Sequence, residues 1–145
     1  MSGAGSCDRQ PEAKSDHAEL VAWAAACAGS VLGLFETRSP DDQRPRAAIE
    51  AARSWLAGSM SVPQARALAF AAHAAAREAG DPAAVAAARA AGHAAATAHV
   101  ETHARHAAGY GLRAIALSRG DVEAERLWQR DGLAEHLRPN HLPKA

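Results

Sequence analysis

Alanine is the residue that most constrains what this chain can fold into. It occupies 41 of the 145 positions, and only 29 of the apolar residues are larger than alanine. Alanine has the highest intrinsic helix propensity and β-branched residues are scarce, so the sequence predicts helices throughout. Because methyl groups fill little space, a core of such residues must form by bringing helix backbones close together.

Charge, hydropathy and cysteine content exclude several classes of protein. With 16 basic and 16 acidic residues, the chain has no net charge that would favour nucleic acid or a membrane surface. We find no apolar run of the ~20 residues that span a bilayer, and no apolar signal segment at the N-terminus. Two cysteines, Cys7 and Cys27, cannot form a disulfide framework. We therefore expect a cytoplasmic protein in which Cys27 is a buried, reduced thiol.

Capping residues and prolines divide the chain into about five predicted helices. Asp16, the capping box Ser61–Gln64 and the pairs Asp81-Pro82 and Gly120-Asp121 supply the clearest start signals. The predicted helices cover 17–36, 43–58, 62–79, 82–118 and 121–137. The fourth would be ~55 Å long, which exceeds the ~38 Å diameter of a compact domain of this size. We therefore expect a bend at Gly109-Tyr110-Gly111.

The predicted fold is all-α. Short connections make sequential helices antiparallel neighbours, so the architecture is an antiparallel helical bundle or a short stack of helical hairpins. The predicted organisation is a disordered tail over 1–15, a single helical domain over 16–138 and a C-terminal tail over 139–145. The three tryptophans, which have room to pack against alanine surfaces, are expected to be buried: Trp23, Trp55 and Trp128.

Histidine is the second unusual feature, with eight in the chain and four within 93–106. His99, His103 and His106 follow i, i+4, i+7 spacing, which on one helix places them on one face. Such a face could bind a metal ion. With His73 it could instead serve acid–base chemistry, for which the candidates are His73, His99, His103 and Tyr110, with His93 lining the same cavity. The alternative is that these imidazoles pack between helices and hydrogen-bond to neighbouring groups.

Other catalytic signals are missing, and charged segments point to protein binding instead. The sequence contains no HExxH, glycine-rich phosphate loop, GxSxG or CxxC, and it implies no cofactor. Two segments that mix both charges, 36–46 and 123–131, carry arginines of the kind that anchor protein contacts. The candidate partner-binding residues are Arg38, Asp41, Asp42, Arg44, Arg126 and Arg130. The alternative is that both segments are solvated surface.

Several stretches resemble a known family. RPRAAIEAARSW at 44–55, AGHAAATAHV at 91–100 and ERLWQR at 125–130 are similar to the alanine-rich immunity proteins of bacterial polymorphic-toxin systems. The resemblance covers about 20–138. It implies a protein that binds and neutralises a cognate toxin, and it carries no catalytic residue over to this chain.

The sequence thus favours a binding protein over an enzyme. The leading hypothesis is an immunity-like protein that neutralises a toxin or another protein partner by surface occlusion, without a cofactor. The alternative is a histidine-rich enzyme, or a protein that binds a small molecule or metal through His73, His99 and His103. A third hypothesis is a helical scaffold that forms homo-oligomers.

Overall fold

The structure, a computed structural model, describes residues 15–144 and is helical over most of that range. Within it lie seven α-helices and no strand. The helices are α1 (Asp16–Glu36), α2 (Arg44–Leu56), α3 (Val62–Glu78), α4 (Pro82–Ala96), α5 (His103–Leu117), α6 (Val122–Asp131) and α7 (Arg138–His141). The all-α class is confirmed. The predicted number of about five helices is wrong, because 82–118 forms two helices and a short helix follows α6.

Side-chain caps explain where four of these helices begin. The side chains of Ser15, Ser61, Asp81 and Asp121 each accept a hydrogen bond from a backbone N–H in the first turn, at 3.0 to 3.3 Å. Such bonds satisfy donors that a helix leaves free at its start. The capping box at Ser61 is confirmed. The first cap is Ser15 rather than the predicted Asp16. The rest of the predicted tail, residues 1–14, lies outside the described residues.

Helix α4 lies at the centre of the domain and contacts α1, α2, α3 and α5. Most of its residues are alanines, and nearly all of these are fully buried. Because their side chains end at Cβ, the neighbouring helices can approach the α4 backbone closely. The larger core side chains come mainly from α1, where Leu20, Val21 and Phe35 are completely enclosed. The core is therefore a bulky stripe on α1 packed against alanine surfaces.

The break in the long predicted helix falls at 97–102 and not at Gly109-Tyr110-Gly111, so the predicted bend is wrong. His17 on α1 donates from Nε2 to the Thr97 carbonyl oxygen at 2.7 Å, which satisfies a carbonyl at the end of α4. The Thr97 hydroxyl donates to the His93 carbonyl at 2.8 Å. Helix α5 continues without interruption through both glycines. A Cβ at Gly111 would lie at an ordinary contact distance of 3.5 Å from the Cys27 carbonyl oxygen, so α5 lies against the α1 backbone here.

Helix α1 corrects the expectation that no segment is long and apolar enough to cross a bilayer. Among the described residues it is the one helix that meets this test by length and composition alone. However, 56% of its most apolar window is buried inside the protein. The helix is apolar because it supplies the core.

The C-terminal third departs from the predictions in two places. The predicted helix 121–137 ends at Asp131. Helix α7 (Arg138–His141) includes the first three residues of the segment predicted as a tail, 139–145. Trp23 is buried and Trp55 is half-buried, but Trp128 is 48% exposed. The prediction of burial is therefore wrong for Trp128, because α6 packs through Gln129 instead, which is fully buried.

Close packing around α4 gives a direct stability test. Ala91 is completely buried, so Ala91→Leu should lower the free energy of unfolding by about 1–3 kcal/mol through overpacking. Ala67→Leu, at an exposed position on α3, should change it by no more than about 0.5 kcal/mol. Urea denaturation measures both. Equal stability of the two variants would contradict close packing at α4.

Candidate functional site

Four histidines from three helices meet beside the core, and we call them the imidazole cluster. They are His73 on α3, His93 on α4, and His103 and His106 on α5. His93 is at the centre, with its ring centroid 4.9 Å from His73, 5.1 Å from His103 and 5.2 Å from His106. On its remaining side the Tyr110 ring stacks nearly parallel at 5.3 Å. Aromatic rings therefore contribute to the contacts among α3, α4 and α5, beside the buried alanines of these helices.

His73 is held in place by an arginine and a glycine. The Arg89 guanidinium donates to His73 Nδ1 over 2.9 Å. Arginine can only donate, so Nδ1 holds the lone pair of the neutral ring and Nε2 holds the proton. The ring lies against Gly92, where a Cβ would come within 2.6 Å of Nε2. The one lone pair that His73 could offer a metal ion is thus already used.

His93 and His103 are bonded to each other. Their Nδ1 atoms are 2.9 Å apart, so one ring donates a hydrogen bond to the other. The tautomers are therefore complementary, and the contact joins the last turn of α4 to the start of α5 across the break at 97–102. This polar pair is tolerated at a half-buried position because each ring satisfies a hydrogen-bonding nitrogen of the other.

The environment keeps two of these rings neutral. Burial, followed by the positive charges of Arg89 and Arg77, lowers the pKa of His73 to about 4. Burial, followed by the neighbouring histidines, lowers the pKa of His93 to about 3. The pKa of His103 is lowered for the same reasons. At neutral pH these rings form hydrogen bonds but carry no positive charge.

The predicted histidine stripe is wrong in its geometry. His99 lies in the break before α5 and does not share a helix with His103 and His106. His73, His99 and His103 do come together, around a cavity of about 130 Å³ that Phe70 and Arg66 also line. Tyr110, the fourth catalytic candidate, does not line this cavity. Pockets for small-molecule ligands are usually about 300 Å³ or larger, so this cavity suits only a very small guest.

The predicted metal-ligand set is not assembled either. Among residues 15–144, the one group of three potential ligands whose atoms all lie within 4.8 Å is Asp16, Glu19 and His136. His136 there donates to the Asp16 carboxylate at 2.9 Å, on the surface. His99, His103 and His106 do not form such a group. Acidic surface groups of this kind are common without an ion.

Four of the six predicted partner-binding residues lie in the segment 36–46, and three of these four form ion pairs within the protein. Arg44 binds both Asp42 and Glu78, at 2.7 and 2.6 Å. These contacts lower the pKa of Asp42 and of Glu78. Arg38 lies 3.4 Å from Asp81 and remains mostly exposed. These pairs connect the α1–α2 loop to the α3–α4 turn. Asp41, in the same loop, is exposed.

The other two predicted partner-binding residues, Arg126 and Arg130, lie on α6 beside the exposed Trp128. Arg130 is exposed, and Arg126 lies 3.6 Å from Glu123 on the same helix. Trp128 borders a hollow of about 430 Å³ whose other walls are residues of α1 and, from α2, Arg46, Ile49, Glu50 and Arg53. Leu127 beside it is 52% exposed. Trp128 was not among the predicted contacts, because three tryptophans in an alanine-rich chain are expected to fill its core.

Cys27 is inert, as predicted. The side chain is fully buried, and burial, followed by the charge of Glu125, raises its pKa far above the usual range. A thiol that stays protonated is a poor nucleophile and a poor metal ligand.

The comparisons with known proteins identify the family. The model of the Imm-5 like putative immunity protein family matches residues 11–136, which is most of the chain. The chain therefore belongs to this family, and the resemblance found in the sequence is confirmed. Neither a curated protein nor a solved structure matches the chain significantly.

The lowered pKa values predict that acid destabilises the fold. Above pH 6.5 these histidines are neutral in both states, whereas below it the unfolded chain binds protons that the cluster does not. The free energy of unfolding should fall between pH 6.5 and about pH 4, by at most about 1.4 kcal/mol per pH unit for each histidine, less for solvent screening. Urea denaturation across this range measures it.

Two variants give this pH dependence its controls. His93→Gln removes a buried titrating ring, so its stability profile should be flatter than that of the wild type. The exposed His136 has a raised pKa, which favours folding at acid pH, so His136→Gln should make the loss steeper. A wild-type profile that is flat from pH 7 to 5 would contradict the neutral cluster.

Gly92 gives a second test of the cluster. Gly92→Ala should displace the His73 ring from Arg89 and destabilise the protein by about 1–3 kcal/mol. The same change in a His73→Ala background should cost much less, because the ring is gone. Gly33→Ala, in α1 with open space around it, should be neutral or slightly stabilising. If the losses of stability from Gly92→Ala and His73→Ala simply added in the double variant, the His73 ring would not lie against Gly92.

Proposed function

We propose that this protein acts in the cytoplasm as an immunity protein that binds a cognate toxin and neutralises it by covering part of its surface. Family membership supports the immunity role. The observation that carries the surface mechanism is Trp128, a large aromatic side chain of α6 that is 48% exposed, next to Leu127, which is 52% exposed. Tryptophan and arginine are the residues most enriched among the strongest contacts in protein interfaces.

Helix α6 holds Trp128 in a fixed position. The side-chain amide of Gln129 donates to the Ala108 carbonyl at 3.0 Å, and the backbone carbonyl of Gln129 accepts from the Trp23 indole at 2.8 Å. On the same helix, Glu125 accepts a hydrogen bond from Ser30 at 2.6 Å. A surface that is already ordered loses less conformational entropy when a partner binds. These contacts to α1 and α5 therefore make α6 a rigid platform.

The residues around Trp128 suit a protein partner. Arg126 and Arg130 belong to the predicted contact set, and the hollow next to the indole offers space for a partner side chain. Of the loop candidates, we assign Arg38 and Asp41 as available contacts, because they are mostly exposed. Arg44 and Asp42 instead hold the loop in shape, since separating them would leave their charges without partners.

The alternative function uses the cavity lined by His73, His99 and His103. Its support is that the three side chains do share one small cavity. Its volume and the Arg89 bond to His73 favour the packing interpretation over a ligand site. We therefore place the functional surface on the exterior of the protein.

The toxin hypothesis is tested with the product of the neighbouring gene. The two proteins should co-purify, and co-expression should restore growth to cells that make the toxin. Trp128→Ala should weaken binding by tenfold or more and reduce protection, because a central tryptophan typically contributes about 2 kcal/mol or more.

Phe70→Ala is the matched control. Phe70 is an aromatic residue that is 63% exposed on α3, away from α6. Its removal should leave affinity and protection within about twofold of the wild type. If the neighbouring product does not bind, or if Trp128→Ala protects as well as the wild type, this account of the function is wrong.

A further inference from the structure

A groove on the outer side of α5 is lined by positive charge. Arg105 and Arg113 of α5 and Lys144 near the C-terminus border it, together with His106 and Tyr110. Its volume is about 440 Å³, and it opens to solvent. None of its lining residues is a carboxylate, and we call it the basic groove.

Packing fixes the walls of the basic groove. Gly109 lies between the two arginines in sequence, and a Cβ there would be at an ordinary contact distance of 3.8 Å from Pro143, so the C-terminal segment lies directly beside α5. This segment brings Lys144 to the groove. The Tyr110 ring is stacked on His93 at 5.3 Å, so it is held by the imidazole cluster. The groove is therefore shaped by contacts that are independent of any ligand.

The basic side chains of the groove form no ion pair with another described residue. Within the described range, no carboxylate lies within 4.0 Å of Arg105, Arg113 or Lys144. By contrast, Arg44 and Arg46 each form close ion pairs at 2.6 to 2.7 Å. A chain with equal numbers of acidic and basic residues has here concentrated one sign of charge in one place. Such a site favours a ligand of the opposite charge.

We propose that the basic groove binds an acidic peptide segment of a protein partner. Arg105 and Arg113 are eight residues apart on one helix, hence about 12 Å along its axis. An extended peptide covers that distance in about four residues, so carboxylates at positions i and i+4 can meet both arginines. Nucleic acid fits less well, because its binding depends on a broad positive surface. This site shares no residue with the hollow at Trp128 and is independent of toxin binding there.

The test uses fluorescein-labelled octaglutamate and fluorescence anisotropy with the full chain. Binding should be saturable with one site and should weaken as salt is added. The double variant Arg105→Gln/Arg113→Gln should bind roughly tenfold more weakly, since two charge contacts are lost. Arg113 is exposed and Arg105 is half-buried, and neither forms an ion pair in the described range, so the thermal melting temperature should change little.

Matched controls separate a specific site from general charge. Arg66→Gln/Arg77→Gln removes two exposed arginines on α3 and should bind octaglutamate as the wild type does. An oligothymidylate of equal charge should not compete. Trp128→Ala should also bind the peptide normally, so failure of the toxin hypothesis leaves this result unaffected. No saturable binding, equal weakening in both double variants or equal competition by oligothymidylate would each overturn the proposal.

Discussion

Contact between alanine side chains and helix backbones is the interaction on which the rest of this structure depends. Ten of the 15 residues of helix α4 are alanine, and the helix touches four other helices, so its buried surface consists mainly of methyl groups and main chain. Such a surface gives no single large contribution to stability. Such a surface stabilises the fold only when neighbouring helices come close, and this requires glycine or alanine where the helices are nearest to each other. Gly111 against the Cys27 carbonyl and Gly92 against His73 are two of those points.

The same constraint explains why so many histidines lie beside the core. A chain with few large apolar side chains needs other groups to fill the gaps between helices, and imidazole rings do so. His73 pairs with Arg89, and His93 pairs with His103, through ring nitrogens. The low pKa values of His73 and His93 keep these two rings uncharged. In this account the cluster is a structural element, and the surfaces at Trp128 and the basic groove are where the protein meets other molecules.

Sequence reasoning predicted the features that local chemistry controls. Helix starts at Ser61, Asp81 and Asp121 follow from caps within the first turn, and the family follows from the alanine-rich motifs. The break at 97–102 was missed because its cause is tertiary: His17, eighty residues away in sequence, binds the Thr97 carbonyl. The predicted histidine stripe failed with it, since it assumed one continuous helix. The exposure of Trp128 was missed because it depends on Gln129 filling the core in its place.

The central claim, that the imidazoles hold the helices together and that function lies outside them, is tested most directly by long-range ¹H–¹⁵N spectra of the histidine rings. At pH 7 the account predicts that His73 and His93 are neutral, that His73 carries its proton on Nε2, and that an equivalent of zinc leaves these signals unchanged. Ring nitrogens of His93 and His103 that move to metal-bound shifts when zinc is added, or a His73 ring protonated on Nδ1, would contradict it.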